Sequence, residues 1–333
     1  MKERIYWIDS LKFIGIFCIY LGHFGKSAGL LYPYVFSFHV PLFFFISGLF
    51  YTEIKDSKAL LGTWIKAFRK IVLPYFVFAL IALIVYSLHE NWNAEKTYEQ
   101  LLTAIKAIRN QIYAGSLWFL PCLFMVVVYH STLMYVLKSK YLVFLAAIPL
   151  FAYGSMHAFV SKPQLYFSAD SAAYYLIYYS IGAIFSSYLK SISNRNMAIK
   201  NNIYFLALVS LSIAVSMVVY FKGDSFIYGK IDNTYLRISS ILIVTSILFI
   251  PAIYLSFFIK SDAIAKLGSS TLVLCGTEQV IKILMFRTLT IFDIKLNLIN
   301  TISTIIYTSL CFFVAYHTTV KLYDYVTKSK KAQ

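Results

Sequence analysis

Long apolar runs alternate along this chain with short polar segments that are mostly basic. Windows long enough to cross a bilayer, about 17–25 residues, fall at 7–25, 33–51, 71–89, 114–137, 141–157, 172–189, 203–221, 236–259, 269–287 and 298–320. The pattern predicts an all-α, polytopic membrane helical bundle with about ten transmembrane helices, forming one integral-membrane domain over 1–333. An even number of spans puts both termini on one side. The longest polar stretch, 90–113, contains TYEQLLTAIKAIRNQI, whose apolar residues recur at helical spacing. It predicts an interfacial helix on the outer leaflet, with a lid over a site as the functional alternative. No linker, low-complexity segment or internal repeat marks off a soluble domain. The first apolar run is interrupted by ionisable residues and lacks a clean cleavage site, so it reads as a retained span rather than a signal peptide.

Composition strengthens this picture. With 60% hydrophobic and 13% charged residues, a soluble domain would have nowhere to bury its apolar surface, and the bilayer is the natural solvent. The formal net charge of +16 invites a nucleic-acid reading. The basic residues sit in short groups between apolar runs, however, which is the signature of the positive-inside rule. Lys2 and Arg4, then Lys55, Lys58, Lys66, Arg69 and Lys70, Lys138 and Lys140, Lys190, Arg195 and Lys200, Lys260 and Lys266, and Lys328, Lys330 and Lys331 share one side. The opposite loops hold Glu90, Glu95, Glu99, Asp170, Asp224, Asp232 and Asp293. The basic side, with both termini, is predicted to be cytoplasmic. Cys18, Cys122, Cys275 and Cys311 all fall in apolar runs without CxxC spacing, and read as buried small hydrophobes.

Charges inside apolar runs point to chemistry, because an ionisable group near the bilayer centre costs ~3 kcal/mol or more. DSLKFIGIFCIYLGHF, residues 9–24, carries Asp9, Lys12 and His23. At ~100° and ~1.5 Å per residue, Lys12 and His23 share one helix face about 16 Å apart, and Asp9 can pair with Lys12. Gly15, Cys18 and Gly22 form a small-residue stripe that lets another helix approach. In the next run His39 falls at about the depth of His23, and Pro41 frees the carbonyl four residues earlier, predicting a kink beside His39. Ser47–Gly48 adds a small polar patch. Two histidines without a third ligand at convincing spacing do not make a metal site. Arg69 and Lys70 read either as a positive-inside anchor or as a phosphate grip. Trp118 falls where interfacial aromatics are expected in any case. Glu278, with Gln279, lies near the middle of its run and can orient a histidine, hold a proton or pair with a cation. His130 and His157 read as structural, and His89 and His317 lie near span ends.

Lys12, ten residues and then His23, preceded by RIYWIDSLK, resembles the first helix of the membrane-bound acyltransferase-3 family. FHVPLFFFISG resembles that family's second helix, FRKIVLPY its basic entry to the third, and SLWFL its fourth. The resemblance implies a stand-alone member, without an SGNH-type esterase domain, similar to those that O-acetylate bacterial surface glycans in the cytoplasmic (inner) membrane. It implies acetyl-CoA as acyl donor and an O-antigen, capsule or exopolysaccharide hydroxyl as acceptor, a polyprenyl-linked glycan being one form of it, and neither metal nor nucleic acid. His23 would be catalytic, with Lys12, Arg69 and Lys70 on the CoA side, His39 and Glu278 as further catalytic candidates, and Asp9, Ser47 and Trp118 in support. Relatives often carry a histidine after an LG-x-x-S sequence. Here that stretch reads LCGTEQ, so Glu278 is a candidate by burial and not by motif. An imidazole titrating near pH ~6.5 can take the acceptor's proton at neutral pH, and an acetyl-histidine intermediate is the competing route. Outer-side aromatics (Tyr32, Tyr34, Trp92, Tyr98, Tyr166, Phe167) are candidates for stacking on sugar faces. A transporter or flippase of a polysaccharide or lipid-linked sugar is the alternative function, and a membrane scaffold the third.

Overall fold

The computed structural model describes residues 5–192, 203–222, 231–294, 298 and 300–329. Lys2, Arg4, Arg195, Lys200, Asp224, Lys330 and Lys331 lie outside the described residues, as does the side chain of Lys328. Among the described residues every regular element is helical, and the fold is an all-α polytopic membrane bundle. It divides into two compact units: 1–49, 185–271 and 297–324 form the first, and 50–184, 272–296 and 325–333 the second.

The first unit is built around α1 (Tyr6–Gly22). The stripe of small residues is used as its spacing suggests. A Cβ on Gly15 would lie 2.8 Å from the Phe43 ring, and one on Gly22 would lie 2.8 Å from the Phe36 ring. These rings belong to α2 (Leu31–Phe36) and α3 (His39–Gly48). The expected single run 33–51 is therefore two helices broken at Ser37 and Phe38, and Pro41 explains the break. Having no N–H, Pro41 leaves the Ser37 carbonyl without its helical donor. Thr245 of α11 (Thr234–Ser256) supplies the missing donor from its buried hydroxyl, at 3.0 Å. Another close approach involves α12 (Asp262–Ser269), where a Cβ on Gly268 would sit 1.7 Å from the backbone oxygen of Asp9. Ser10 donates to the Ile259 carbonyl at 3.1 Å, and the Trp7 and Phe257 rings pack 4.8 Å apart. From α14 (Thr301–Ala315), Phe312 packs on Phe13, Phe17 and Tyr20. Thr301 and Thr304 donate to the carbonyls of Ala28 and Ser27 at 3.1 and 2.8 Å. α10 (Ile203–Lys222) completes this unit together with the end of α9 (Ala169–Ile192).

The second unit contains α4 (Ser57–Ala67), α5 (Leu73–His89), α6 (Ala94–Lys106), α7 (Phe119–Leu137), α8 (Lys140–Met156), most of α9, and α13 (Thr271–Ile291). Residues 57–70, expected as part of a basic loop, are helical. α4 is capped by Asp56, which accepts from the Ala59 N–H at 2.7 Å, and runs into α5 through a π-helical turn, Phe68–Val72. Pro74 sits just beyond that turn and cannot bond the Lys70 carbonyl, the kind of lost bond around which a helix widens. The expected interfacial helix is present as α6, but Ala107 in the left-handed region ends it. Ile108 and Ile112 then turn inward and are buried rather than continuing the amphipathic face. α13 meets α5 where a Cβ on Gly276 would lie 2.2 Å from Phe78, and Ser116 donates to the Cys275 carbonyl at 3.0 Å.

The expectation of ten spans is corrected: among the described residues six helices, not ten, are long and apolar enough to cross a membrane. They are Leu31–Gly48, Ser57–His89, Phe119–Leu137, Phe205–Lys222, Thr234–Ser256 and Thr301–Val326. The reason lies in length and dilution. α1 and α8 have 17 residues each, and α1 carries Asp9 and Lys12. α9 and α13 are longer, but several tyrosines and serines dilute the first. Glu278, Lys282 and Arg287 dilute the second.

Two glycines should respond oppositely to a methyl group. Gly268→Ala forces a side chain into backbone that cannot rotate away, and should lower the thermal midpoint of the detergent-solubilised protein by the equivalent of about 1–3 kcal/mol or more. Gly62→Ala, with nothing within 4 Å of its Cβ position, should be neutral or stabilise by up to about 1 kcal/mol. Thr245→Val strands the Ser37 carbonyl and should cost about 1–2 kcal/mol, whereas Thr245→Ser should retain most of the stability. The same thermal unfolding experiment checks both pairs.

Candidate functional site

In the first unit the titratable candidates occupy both ends of α1. At one end Lys12 Nζ lies 3.3 Å from Asp9 Oδ1, so the pairing expected from their spacing is formed. This pair stands where Gly268 presses against α1. On the neighbouring helix Lys266 forms an ion pair with Asp324, tying α12 to the segment after α14. At the other end the helix stops at Gly22, and His23 is its C-terminal cap residue, its N–H still bonded to the Ile19 carbonyl at 3.1 Å. Gly25 and Gly29, at φ +59° and +58°, then turn the chain. His23 is therefore exposed at a helix end rather than enclosed within a longer helix.

His39 is buried at the first position of α3, and its Nδ1 lies 2.6 Å from the Val35 carbonyl. A carbonyl oxygen only accepts, so Nδ1 carries the proton and Nε2 is the basic nitrogen of the neutral ring. The His39 ring packs edge-on against Phe36 at 4.9 Å. Phe36 and Val35 are also the residues that Gly22 abuts, so the end of α1 bearing His23 and the start of α3 bearing His39 share their immediate neighbours. Ser47 lies half-buried in the last turns of the same α3.

In the second unit Arg69 and Lys70 are exposed on the π-helical turn. Glu278 is fully buried on α13, and its Oε1 lies 2.6 Å from Lys282 Nζ, one helical turn on. Of the roles open to this carboxylate, pairing with a cation is the one the geometry supplies. Trp118 is buried just before α7, its ring covered by the guanidinium of Arg109 at 4.0 Å. Arg109 also donates from Nη1 to the Tyr175 hydroxyl at 2.7 Å. His130 is buried between the rings of Tyr51 and Tyr179, while His157 stacks on Tyr153. His89 accepts from Arg287 through Nδ1 and its carbonyl, each at 2.8 Å. Trp92 joins Tyr86 and Tyr113 in an aromatic cluster, each pair of rings within 6 Å.

Sequence reasoning missed Lys282 and Arg109. Lys282 was findable, because a lysine four residues after a buried glutamate lies on the same face of the helix. Arg109 carries no such local signal; its significance comes from Trp118 and from Tyr175, which is 66 residues away. Among the described residues no group of three or more His, Cys, Asp or Glu side chains is arranged to hold a metal ion.

No curated protein and no solved structure matches the chain. The family described as an acyltransferase domain does match, over residues 5–320. That stretch includes α1 with Lys12 and His23, the broken α2–α3 pair with His39, and the α13 carboxylate, and the chain belongs to the acyltransferase-3 family.

Proposed function

We propose that this protein is a membrane O-acyltransferase, a single acyltransferase domain that moves an acetyl group from cytoplasmic acetyl-CoA to a hydroxyl of a bacterial surface glycan. The observation that carries this reading is the family match across residues 5–320. The placement of the imidazoles supports it. His23 stands exposed at the end of α1, and buried His39, its Nδ1 committed to Val35, shares that end's neighbours. His23 acts as general base: it accepts the acceptor hydroxyl's proton as that oxygen attacks the thioester carbonyl. The carbon–sulfur bond then breaks, and the departing CoA sulfur takes the proton from the imidazolium. His39, pinned through Nδ1, contributes its Nε2 to the hydroxyl or to the His23 ring.

The CoA phosphates call for cations. Lys12, Arg69 and Lys70 fill that role, the last two presented on an exposed turn. On this reading the basic loops face the cytoplasm, as the positive-inside rule favours, and the protein sits in the bacterial inner membrane. Asp9 holds Lys12 in place, Ser47 and Trp118 support the surrounding helices, and Glu278, locked to Lys282, serves as an electrostatic support. The acceptor is reached from the outer side or from the bilayer, which suits a polyprenyl-linked glycan.

Acetyl transfer by purified protein, followed by mass spectrometry of the acceptor glycan, tests this function. His23→Ala should lower kcat by at least ~100-fold, the least that general-base catalysis commonly contributes, with the unfolding midpoint unchanged. Lys12→Gln should raise KM for acetyl-CoA about 10-fold with little change in kcat. Full activity in His23→Ala removes the mechanism, and glycan movement without acetyl-CoA consumption points instead to transport.

A further inference from the structure

Among the described residues, Arg109 is held by aromatic side chains and paired with no acid. It lies in the segment between α6 and α7, and that segment is fixed on both flanks. Ile108 and Ile112 are buried, and the Ala107 carbonyl accepts from Ser168 Oγ at 2.8 Å. The guanidinium lies over Trp118, its centre 4.0 Å from the indole centroid, and Nη1 donates to the Tyr175 hydroxyl at 2.7 Å. Nε–H is buried and makes no hydrogen bond. Among the described residues no carboxylate lies within ion-pair distance of Arg109. The buried acid at the start of α9, Asp170, is occupied by the backbone N–H groups of Gln164, Leu165 and Ser171 at 2.5, 3.1 and 2.8 Å. A half-buried cation with an unmade donor is costly unless something else supplies an acceptor.

The geometry also says which acceptor fits. With Nη1 donating to Tyr175 and Nε–H left without an acceptor, the guanidinium calls for an anionic centre whose oxygens it can grip side-on. Arg109 lies between an amphipathic helix with exposed Tyr98 and Ile105 and the first turn of an apolar spanning helix. At such a boundary an anion arrives most readily on a molecule with an apolar tail. We propose that Arg109, set by Trp118 and Tyr175, is a binding site for the phosphate group of a membrane amphiphile. Within the acyl-transfer reading this phosphate belongs to a lipid-linked acceptor; that identification rests on the reading, and the binding does not.

The test is a titration of the full-length protein in neutral detergent with short-chain phosphatidate, read by native mass spectrometry and thermal shift, with the matching diacylglycerol as the tail-only control. Wild type should bind phosphatidate at least 10-fold more tightly than Arg109→Gln. Arg109→Lys should fall between them, since an ammonium restores charge without the side-on grip. Diacylglycerol should bind all three alike, and equal midpoints in detergent alone establish that the variants are folded. Equal phosphatidate affinity in wild type, Arg109→Gln and Arg109→Lys overturns the site. Displacement of phosphatidate by millimolar inorganic phosphate alone overturns its assignment to an amphiphile. Acetyl-CoA turnover is measured separately: Arg109-dependent binding without acetyl transfer sinks the acyl-transfer reading and leaves this site standing, and acetyl transfer without such binding does the reverse.

Discussion

Backbone-to-backbone proximity at α1 is the constraint on which the first unit depends. Gly268 allows α12 to touch the Asp9 carbonyl, while Gly15 and Gly22 admit aromatic rings from α3 and α2 on the same helix. In lipid there is no hydrophobic drive between apolar helices, so association rests on such close packing and on hydrogen bonds between helices. Each glycine removes a side chain where a neighbour must enter. The helix with the most titratable candidates is therefore gripped along its length, with Lys12 in its second turn and His23 at its C-terminal cap.

The structure handles charge within apolar surroundings in several ways. Asp9 and Lys12 neutralise each other one turn apart at a helix start. Glu278 and Lys282 do so in the interior of α13, where the carboxylate is inaccessible and removing either partner would leave a buried charge. Arg287, near the end of the same helix, uses a ring nitrogen and a carbonyl of His89 instead of an acid. Arg109 relies on the faces of aromatic rings. The first two set opposite charges against each other on one helix. Among the described residues, the arrangement around Arg109 pairs the cation with no acid and leaves its Nε–H without an acceptor.

What was legible in the sequence, and what was not, follows from the range of the interactions. The Asp9–Lys12 pair, the small-residue stripe and the break beside His39 are local consequences of spacing and of a missing proline N–H, and each appears in the structure. The remedy for that break, the Thr245 hydroxyl, comes from more than two hundred residues away and has no local signature. The helical character of 57–70 was obscured by its lysines, which suggest a loop although they lie on the exposed side of a continuous helix. Apolar runs alone overstated the spans, because 17-residue helices, the run containing Glu278 and the tyrosine- and serine-rich run of α9 look continuous to the eye yet fall short on length or apolarity. The imidazoles of His23 and His39 stand out in the sequence by residue type alone, but the packing of Phe36 against both Gly22 and the His39 ring, and the Nδ1 bond to Val35, required coordinates.

The joined α4–α5 rod has a further consequence. Its 33 residues, Ser57–His89, extend for about 50 Å at ~1.5 Å per residue, against a hydrocarbon layer of about 30 Å. The surplus must be accommodated by steep tilt or by several turns standing in the headgroup layer. The lower part of the rod suits the second course, with Leu61, Ile65 and Phe68 exposed beside Lys58, Lys66, Arg69 and Lys70. Trp64 Nε1, bonded to Ser131 Oγ at 3.0 Å, fixes the rod against α7. Bilayer thickness thus becomes a mechanical variable: a thinner or thicker membrane changes the rod's angle, and α7 must follow it.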